Sequence, residues 1–147
     1  MKFLSKSVEE TNKIAADFLS NLLVQNSSAT VVGLFGDLGS GKTTFTQAVA
    51  KNLGVEQVVT SPTFVIEKIY LILNSTFHIP HSTLIHIDAY RLDLGKELLN
   101  LGFAEQMKDP QNLILIEWPE RVAEILPGNM IKINFKFISE TEREIEL

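Results

Sequence analysis

Short runs of almost wholly apolar residues alternate in this chain with segments whose apolar residues recur at every third or fourth position. TVVGLF (Thr30–Phe35) and NLILIE (Asn112–Glu117) are such runs and predict strands buried on both faces of a sheet. TFVIEKIYLIL (63–73) and TLIHID (Thr83–Asp88) predict two more strands that pair in antiparallel fashion. MIKINFKFI (130–138) alternates apolar and polar residues, as a half-exposed strand does. Two short strands are also predicted near the ends, in MKFLS and REIEL.

Two segments have the periodicity of amphipathic helices. Residues 7–26 carry one apolar stripe, and Ser7 with Glu10 forms a capping box at its start. Residues 42–54 predict a second helix that ends at Gly54, since glycine suits the left-handed residue after a helix. LGKELLNLGFAEQM predicts one or two short helices, and WPERVAEIL a helical turn or short helix. Together the elements predict the α/β class, with a mixed, mainly parallel central sheet flanked by helices. A length of 147 residues suits one domain.

Composition narrows the function classes. The chain has 45% apolar residues, a net charge of −5 and no cysteine, which rules out disulfides and thiolate catalysis. No apolar run approaches the roughly 18 residues of a membrane span, and the first residues do not resemble a signal peptide. We therefore expect a cytoplasmic protein with no membrane contact. An acidic balance does not favour a polyanion as a direct ligand, so contact with nucleic acid would require another subunit.

The segment GDLGSGKTT (36–44) holds three glycines within six positions. It fits G-x-x-x-x-G-K-[ST], the P-loop motif, and stands between a buried strand and a helix as that motif requires. Its glycines let backbone N–H groups surround phosphate oxygens, and the helix N-terminus adds partial positive charge. In this motif Lys42 reaches the β- and γ-phosphates and the Thr43 hydroxyl binds Mg²⁺. The alternative is a tight turn that binds nothing. We predict a P-loop NTPase domain that binds ATP or ADP through Gly36, Asp37, Leu38, Gly39, Ser40, Gly41, Lys42, Thr43 and Thr44.

A P-loop ATPase also needs an acidic residue near the metal. Two predicted strands end in one, at Asp88 and at Glu117. Ligands of open α/β sheets bind outside the carboxyl ends of the strands, where both acids fall. The alternative is that either acid is a solvated cap at a strand end. The sequence leaves open which of the two is the principal metal ligand beside Thr43, so Lys42, Asp88 and Glu117 together are the candidate catalytic residues.

Other segments indicate a functional site less specifically than the P-loop and the two acids do. In TSPTF (60–64) two hydroxyls, of Ser61 and Thr63, flank a proline, and a loop at this position often contacts the γ-phosphate or Mg²⁺. An ordinary turn explains the segment equally well. Trp118 adjoins the candidate metal acid, which allows a role facing the nucleotide. Arg91 is suited either to pair with a carboxylate or to reach phosphate. The three histidines have no Cys or acid to complete a metal-binding set, so the sequence does not favour a zinc site.

The motifs also limit the reaction. A GTPase would carry D-x-x-G and N-K-x-D motifs after the P-loop, and neither is present. A small-molecule kinase is the main enzymatic alternative, but such kinases cluster arginines around the transferred phosphate, and this chain has only three, widely spread. A slow ATPase that serves as a switch fits better. An ATP-binding module without turnover is the third possibility.

Four segments in this order, GDLGSGKTT, SPTF, HIDAYRL and IEWPER, together resemble the TsaE family. The resemblance covers about residues 7–127, and LGF after KELLNL adds to it. One departure is LILNSTFHIPHS, which is longer than the usual connection in that family. Members of the family are P-loop ATPases of bacterial tRNA threonylcarbamoyladenosine synthesis.

The resemblance implies more than the residues themselves predict. In that family the ATPase works with the TsaB–TsaD pair, which transfers threonylcarbamoyl to an adenosine beside the anticodon, and ATP hydrolysis resets the complex. It implies ATP or ADP and Mg²⁺ as cofactors, with Thr43 and Glu117 as metal ligands and Asp88 assisting the metal or the water. Trp118 is then near the nucleotide, and tRNA contact is indirect. The implied remainder of the site is a switch-like loop with Ser61 and Thr63 and an adenine enclosure near Val8 and Arg143.

Overall fold

The computed structural model describes residues 1–60, 66–73 and 75–147. Its described strands are β1 (Lys2–Ser5), β2 (Thr30–Phe35), β3 (Glu67–Leu71), β4 (Thr83–Asp88), β5 (Asn112–Glu117), β6 (Ile131–Phe137) and β7 (Arg143–Glu146). Its described helices are α1 (Val8–Ser20), α2 (Lys42–Asn52), α3 (Gly95–Leu99), α4 (Phe103–Lys108) and a 3₁₀ helix at Pro119–Ile125. None of the helices in these residues is long and apolar enough to cross a bilayer.

The described strands form one mixed sheet in the order β1-β7-β6-β2-β5-β4-β3. The four central strands β6, β2, β5 and β4 are parallel to one another, and the outer pairs are antiparallel. This confirms the predicted α/β fold with a mixed sheet flanked by helices. Since β2 lies between β5 and β6, the loop after β2 opens at the centre of the sheet, beside the end of β5.

Each face of the sheet buries its own apolar cluster. Helices α1 and α2 cover one face, where Phe18 and Phe45 pack edge to face with ring centroids 5.7 Å apart. Helices α3 and α4 and the 3₁₀ helix cover the other, around Leu98, Phe103 and Val122. Alternate strand residues therefore face different layers, which explains why the central strands are apolar almost throughout.

Several element boundaries match the sequence patterns, and two do not. The first helix ends at Ser20 instead of continuing to residue 26, because Asn21 donates from its side-chain amide to the Asp17 carbonyl (2.8 Å) and closes the last turn. Within the predicted strand 63–73, β3 begins only at Glu67. Ile66 has φ 63°, which breaks the extended conformation immediately before it. Residues 63–65 of that prediction lie outside the described residues.

Candidate functional site

A cleft of about 680 Å³ lies at the carboxyl ends of the parallel strands, over the N-terminus of α2. The glycine-rich loop forms its floor. Lining residues outside that loop include Val8, Asp88, Arg91, Glu117, Trp118 and Arg143. The cleft therefore brings together candidates that are more than one hundred residues apart in the chain. Among the predicted site residues, Ser61 and Thr63 lie outside the described residues, so their positions stay a prediction.

The glycine-rich loop has the backbone that its sequence predicts. Gly36, Gly39 and Gly41 have φ values of 151°, 74° and 104°. A Cβ at Gly36 would lie 2.6 Å from the Phe135 carbonyl oxygen and 2.6 Å from the Ser40 hydroxyl, so a side chain there has no room. Gly41, the N-cap residue immediately before α2, has a left-handed conformation that other residues rarely adopt. The loop thus has the close turn and exposed helix N-terminus that suit an anion.

The ammonium group of Lys42 is folded back onto this loop. The side chain is only 5% exposed, and its Nζ donates to the carbonyl oxygens of Gly36 and Asp37, the latter at 2.8 Å. The same Nζ lies 4.4 Å from the ring centroid of Trp118. Burial lowers the pKa of Lys42 from its usual value, and the carboxylates around it, Glu117 foremost, oppose this shift. The lysine is thus held as a buried charge at the bottom of the cleft.

The two candidate metal acids are neighbours at the end of the sheet. Asp88 of β4 and Glu117 of β5 are register partners, so their side chains share one face. They are 8% and 3% exposed, which makes the alternative of a solvated strand-end acid wrong. The Thr43 hydroxyl donates to Glu117 Oε1 at 2.7 Å. Asp88 Oδ1 accepts from the backbone N–H of Tyr90 at 3.0 Å, which holds the chain after β4 in a turn.

The chemistry of this donor set fits Mg²⁺. A hydroxyl and two carboxylates are oxygen donors, and Mg²⁺ bound with a nucleotide uses few protein ligands because phosphate and water complete its shell. Thr43 donates its hydrogen to Glu117, so the lone pairs of its oxygen remain for a cation. In the part of the chain that is described, no cluster of three or more His, Cys, Asp or Glu suits a metal held by protein alone. Of the three histidines, His78 is exposed, His81 is buried and bonded to Thr30, and His86 is buried and bonded to Glu117 itself.

Trp118 adopts a left-handed backbone conformation, with φ 58° and ψ 48°, directly after Glu117. Such a conformation costs a non-glycine residue about 1–3 kcal/mol and is common at functional sites. Here it places the indole against the cleft, between Lys42 and the Tyr90 ring, whose centroid is 5.0 Å away. The aromatic pair therefore forms a wall beside the lysine.

Nucleotide addition should change the fluorescence of Trp118. When Lys42 moves from the loop carbonyls to a phosphate, the charge over the indole changes position, and Trp118 is the sole tryptophan of the chain. The measurement is an emission titration with ADP and with ATP, in parallel with equilibrium dialysis. An unchanged spectrum at concentrations where dialysis records bound nucleotide would place the nucleotide away from this wall.

Arg143, at the start of β7, links that strand to the glycine-rich loop. Its Nε donates to the Gly39 carbonyl at 2.9 Å, and its Nη1 donates to the carbonyls of Ser139 and Glu142. The guanidinium also lies 4.6 Å from the ring centroid of Phe137. Val8, at the start of α1, lines the same cleft and is exposed. Arg143 thus contacts the glycine-rich loop as well as lining the cleft, and an adenine enclosure by Val8 and Arg143 stays a prediction.

The sequence interpretation overlooked two polar neighbours of the site. His86 bonds Glu117 and was considered there only as a zinc ligand. Its signal was its position two residues before Asp88 in a strand, since residues i and i+2 share a face. Glu120 contributes to the field at Lys42. Its signal was its place three residues after Glu117, in a segment where a turn was already predicted.

The family model described as "Threonylcarbamoyl adenosine biosynthesis protein TsaE" matches residues 5–145. Among curated proteins, the tRNA threonylcarbamoyladenosine biosynthesis protein TsaE of Rickettsia bellii is 37% identical over 138 residues, covering 93% of this chain and 87% of its own. The protein of the same name from Treponema pallidum is 33% identical over 147 residues, covering 99% and 98%. The crystal structure of Bacillus subtilis YdiB is similar with a TM-score of 0.72 and 32% identity, and the match covers 99% of this chain and 82% of that one.

Proposed function

Because the chain belongs to the TsaE family, whose members serve tRNA threonylcarbamoyladenosine biosynthesis, we propose that it is a Mg²⁺-dependent ATPase that supports this modification. It acts with the TsaB–TsaD pair, which performs the transfer, and its own hydrolysis of ATP returns that pair to an active state. Its contact with tRNA is indirect, in keeping with a net charge of −5.

One observation above all supports the proposal. The hydroxyl of Thr43, at the start of α2, is already bonded to Glu117 at the end of β5, 74 positions away in the chain and 2.7 Å away in space. This contact joins the helix N-terminus that suits phosphate to the strand end that suits a cation. A turn that binds nothing would have no reason to bury a carboxylate against its helix.

Each residue of the cleft has a definite task in this proposal. Backbone N–H groups of residues 36–44 surround the phosphates, and Lys42 exchanges its loop carbonyls for phosphate oxygens. Thr43 and Glu117 hold Mg²⁺, and Asp88 beside them orients the metal shell or the attacking water. When bound, Mg²⁺ neutralises phosphate charge that develops during transfer. Val8 and Arg143, which line the same cleft, enclose the base.

Nucleotide binding in this proposal requires Lys42 to exchange its contacts. The ammonium group gives up two carbonyl partners and its position over Trp118 before it reaches a phosphate. A charged group exchanges these bonds for stronger ones to an anion only when the phosphate is in place. Lys42 therefore changes its hydrogen-bond partners only when the nucleotide binds in the cleft.

Substitution of Glu117 by Ala tests the metal site. We expect Mg²⁺-dependent hydrolysis of ATP to fall strongly and the Mg²⁺ concentration needed for half-maximal rate to rise, because a direct carboxylate ligand is lost. Glu117→Gln keeps the shape and the acceptor for Thr43 but removes the charge, so it should show the same metal defect with less loss of stability. The measurement is the ATPase rate as a function of Mg²⁺, with thermal unfolding of each variant.

Glu105, an exposed acid on α4 bonded to Lys108, offers the matched control. Glu105→Gln removes the same charge from the surface and should leave the Mg²⁺ dependence unchanged. If the Mg²⁺ curves of Glu117→Gln and of the unmodified protein coincide, Glu117 is not a ligand, and Asp88 becomes the principal metal acid.

A further inference from the structure

The imidazole of His86 lies behind the carboxylate of Glu117 and is completely buried. Its Nε2 is 3.1 Å from Glu117 Oε1, the same oxygen that accepts from the Thr43 hydroxyl at 2.7 Å. His86 stands two residues before Asp88 on β4, so it shares the sheet face of both acids. One carboxylate oxygen therefore receives two donors, one from a neighbouring strand and one from the start of α2.

An apolar core alone does not explain this histidine. Burial of an imidazole costs free energy unless its polar atoms are bonded, and His86 Nδ1 has no hydrogen-bond partner among the described residues. A leucine at this position would fill the layer without that cost, as Leu84 and Leu115 do on the same face. What the imidazole adds is the bond to Glu117.

The bond to Glu117 also indicates which nitrogen of the His86 ring carries the hydrogen. A carboxylate oxygen accepts, so Nε2 is the atom that donates, and the neutral ring then carries its hydrogen on Nε2. Its unpartnered Nδ1 is then an acceptor, which leaves no buried N–H without a partner. In the neutral Nε2–H form, the single N–H group of the ring is therefore bonded to Glu117.

We infer that His86 is a positioning residue that fixes the orientation of the Glu117 carboxylate, so that Oε1 stays engaged and the other oxygen is presented to the metal. This inference rests on the proposed function. Residues that hold a metal ligand in place commonly change metal affinity by about 10- to 100-fold when removed. His86 also distinguishes the two acids, since its hydrogen bond is to Glu117.

The test uses Mn²⁺ as an EPR-visible probe, titrated into the complex of the full chain with ADP. His86→Leu removes the donor, and His86→Gln retains an amide N–H with a similar reach. We expect His86→Leu to weaken Mn²⁺ binding about 10-fold or more and His86→Gln to recover most of it, with metal-free ADP binding unchanged in both. In the unmodified protein, ¹⁵N NMR of the imidazole should place the hydrogen on Nε2.

His81 supplies a matched control. It is also buried, bonds one hydroxyl through Nε2 (Thr30, 3.0 Å) and has an unpartnered Nδ1, but it precedes β4 at the opposite end. His81→Leu should cost comparable stability and leave Mn²⁺ affinity unchanged.

Several results would overturn the inference. These are equal Mn²⁺ affinity in His86→Leu and the unmodified protein, an equal loss in His81→Leu, or an NMR spectrum that shows no hydrogen on Nε2. The NMR result decides even if His86→Leu does not fold. Failure of the unmodified protein to bind Mn²⁺ with ADP would instead contradict the proposed function itself, and the inference with it.

Discussion

Substitution of Lys42 by Ala should reduce ATP hydrolysis by at least about 100-fold, the loss typical of removing one group that stabilises transition-state charge. In the proposed reaction its ammonium is the fixed positive charge nearest the transferred phosphate. The structure adds a second reason, because Lys42 is buried and braces the loop through the carbonyls of Gly36 and Asp37. The measurement is steady-state hydrolysis at saturating ATP and Mg²⁺.

Lys51, in the last turn of the same helix, is the control for this substitution. It is exposed, so Lys51→Ala removes an equal charge from α2 without touching the cleft. Its turnover should match that of the unmodified protein. Hydrolysis that persists unchanged in Lys42→Ala would refute the assignment of the loop, whatever its effect on stability.

The second large effect expected is acceleration by partners. Four cationic side chains line the described cleft, those of Lys6, Lys42, Arg91 and Arg143. Two of them already bond backbone carbonyls: Lys42 donates to the loop, and Arg143 donates to Gly39, Ser139 and Glu142. We therefore expect charge stabilisation in the transition state to be incomplete in the isolated chain. In NTPases that receive an arginine from a partner, the gain is about 10³–10⁵-fold. We expect TsaB–TsaD to increase ATP hydrolysis toward the lower end of that range.

Two mechanisms of acceleration can be separated by substitution. The partner either supplies a charged group or orders the loop at 60–64, most of which lies outside the described residues. We expect Thr63→Ala to abolish the gain from TsaB–TsaD if the partner acts through this loop and to leave it largely intact if a partner residue is the cause. Fast turnover by the isolated chain, with no gain from partners, would contradict the switch and favour the small-molecule kinase.

Much of the fold was predictable because burial controls it. The bounds of β2, β4 and β5 coincide with three apolar runs that end at a glycine turn or an acid. The errors arose where a local conformation overrides the pattern. Apolar residues continue past Ser20, but the side chain of Asn21 closes the helix there. Ile66 interrupts a β-rich segment through its left-handed backbone, which no residue-type preference signals.

The site was predictable to the extent that it is local. The P-loop is a contiguous motif, so the unusual glycine backbone between β2 and α2 followed from the sequence. The contacts of Lys42 with the Gly36 and Asp37 carbonyls did not. The contact between Thr43 and Glu117 depends on β5 lying beside β2, and no single segment of the sequence predicts the order of the strands. The same holds for His86, whose role follows from the register of β4 against β5. Arg143 reaches Gly39 only because β7 folds back on β6.

The number of threonylcarbamoyladenosine residues formed per TsaD active site tests the central claim most directly. TsaB–TsaD is given the threonylcarbamoyl donor, excess tRNA, ATP and Mg²⁺, with this chain, with its Lys42→Ala variant or with neither. We predict many rounds of modification with the unmodified chain and a single round in the other two reactions. Equal multiple rounds with Lys42→Ala, or with no added chain, would contradict the account.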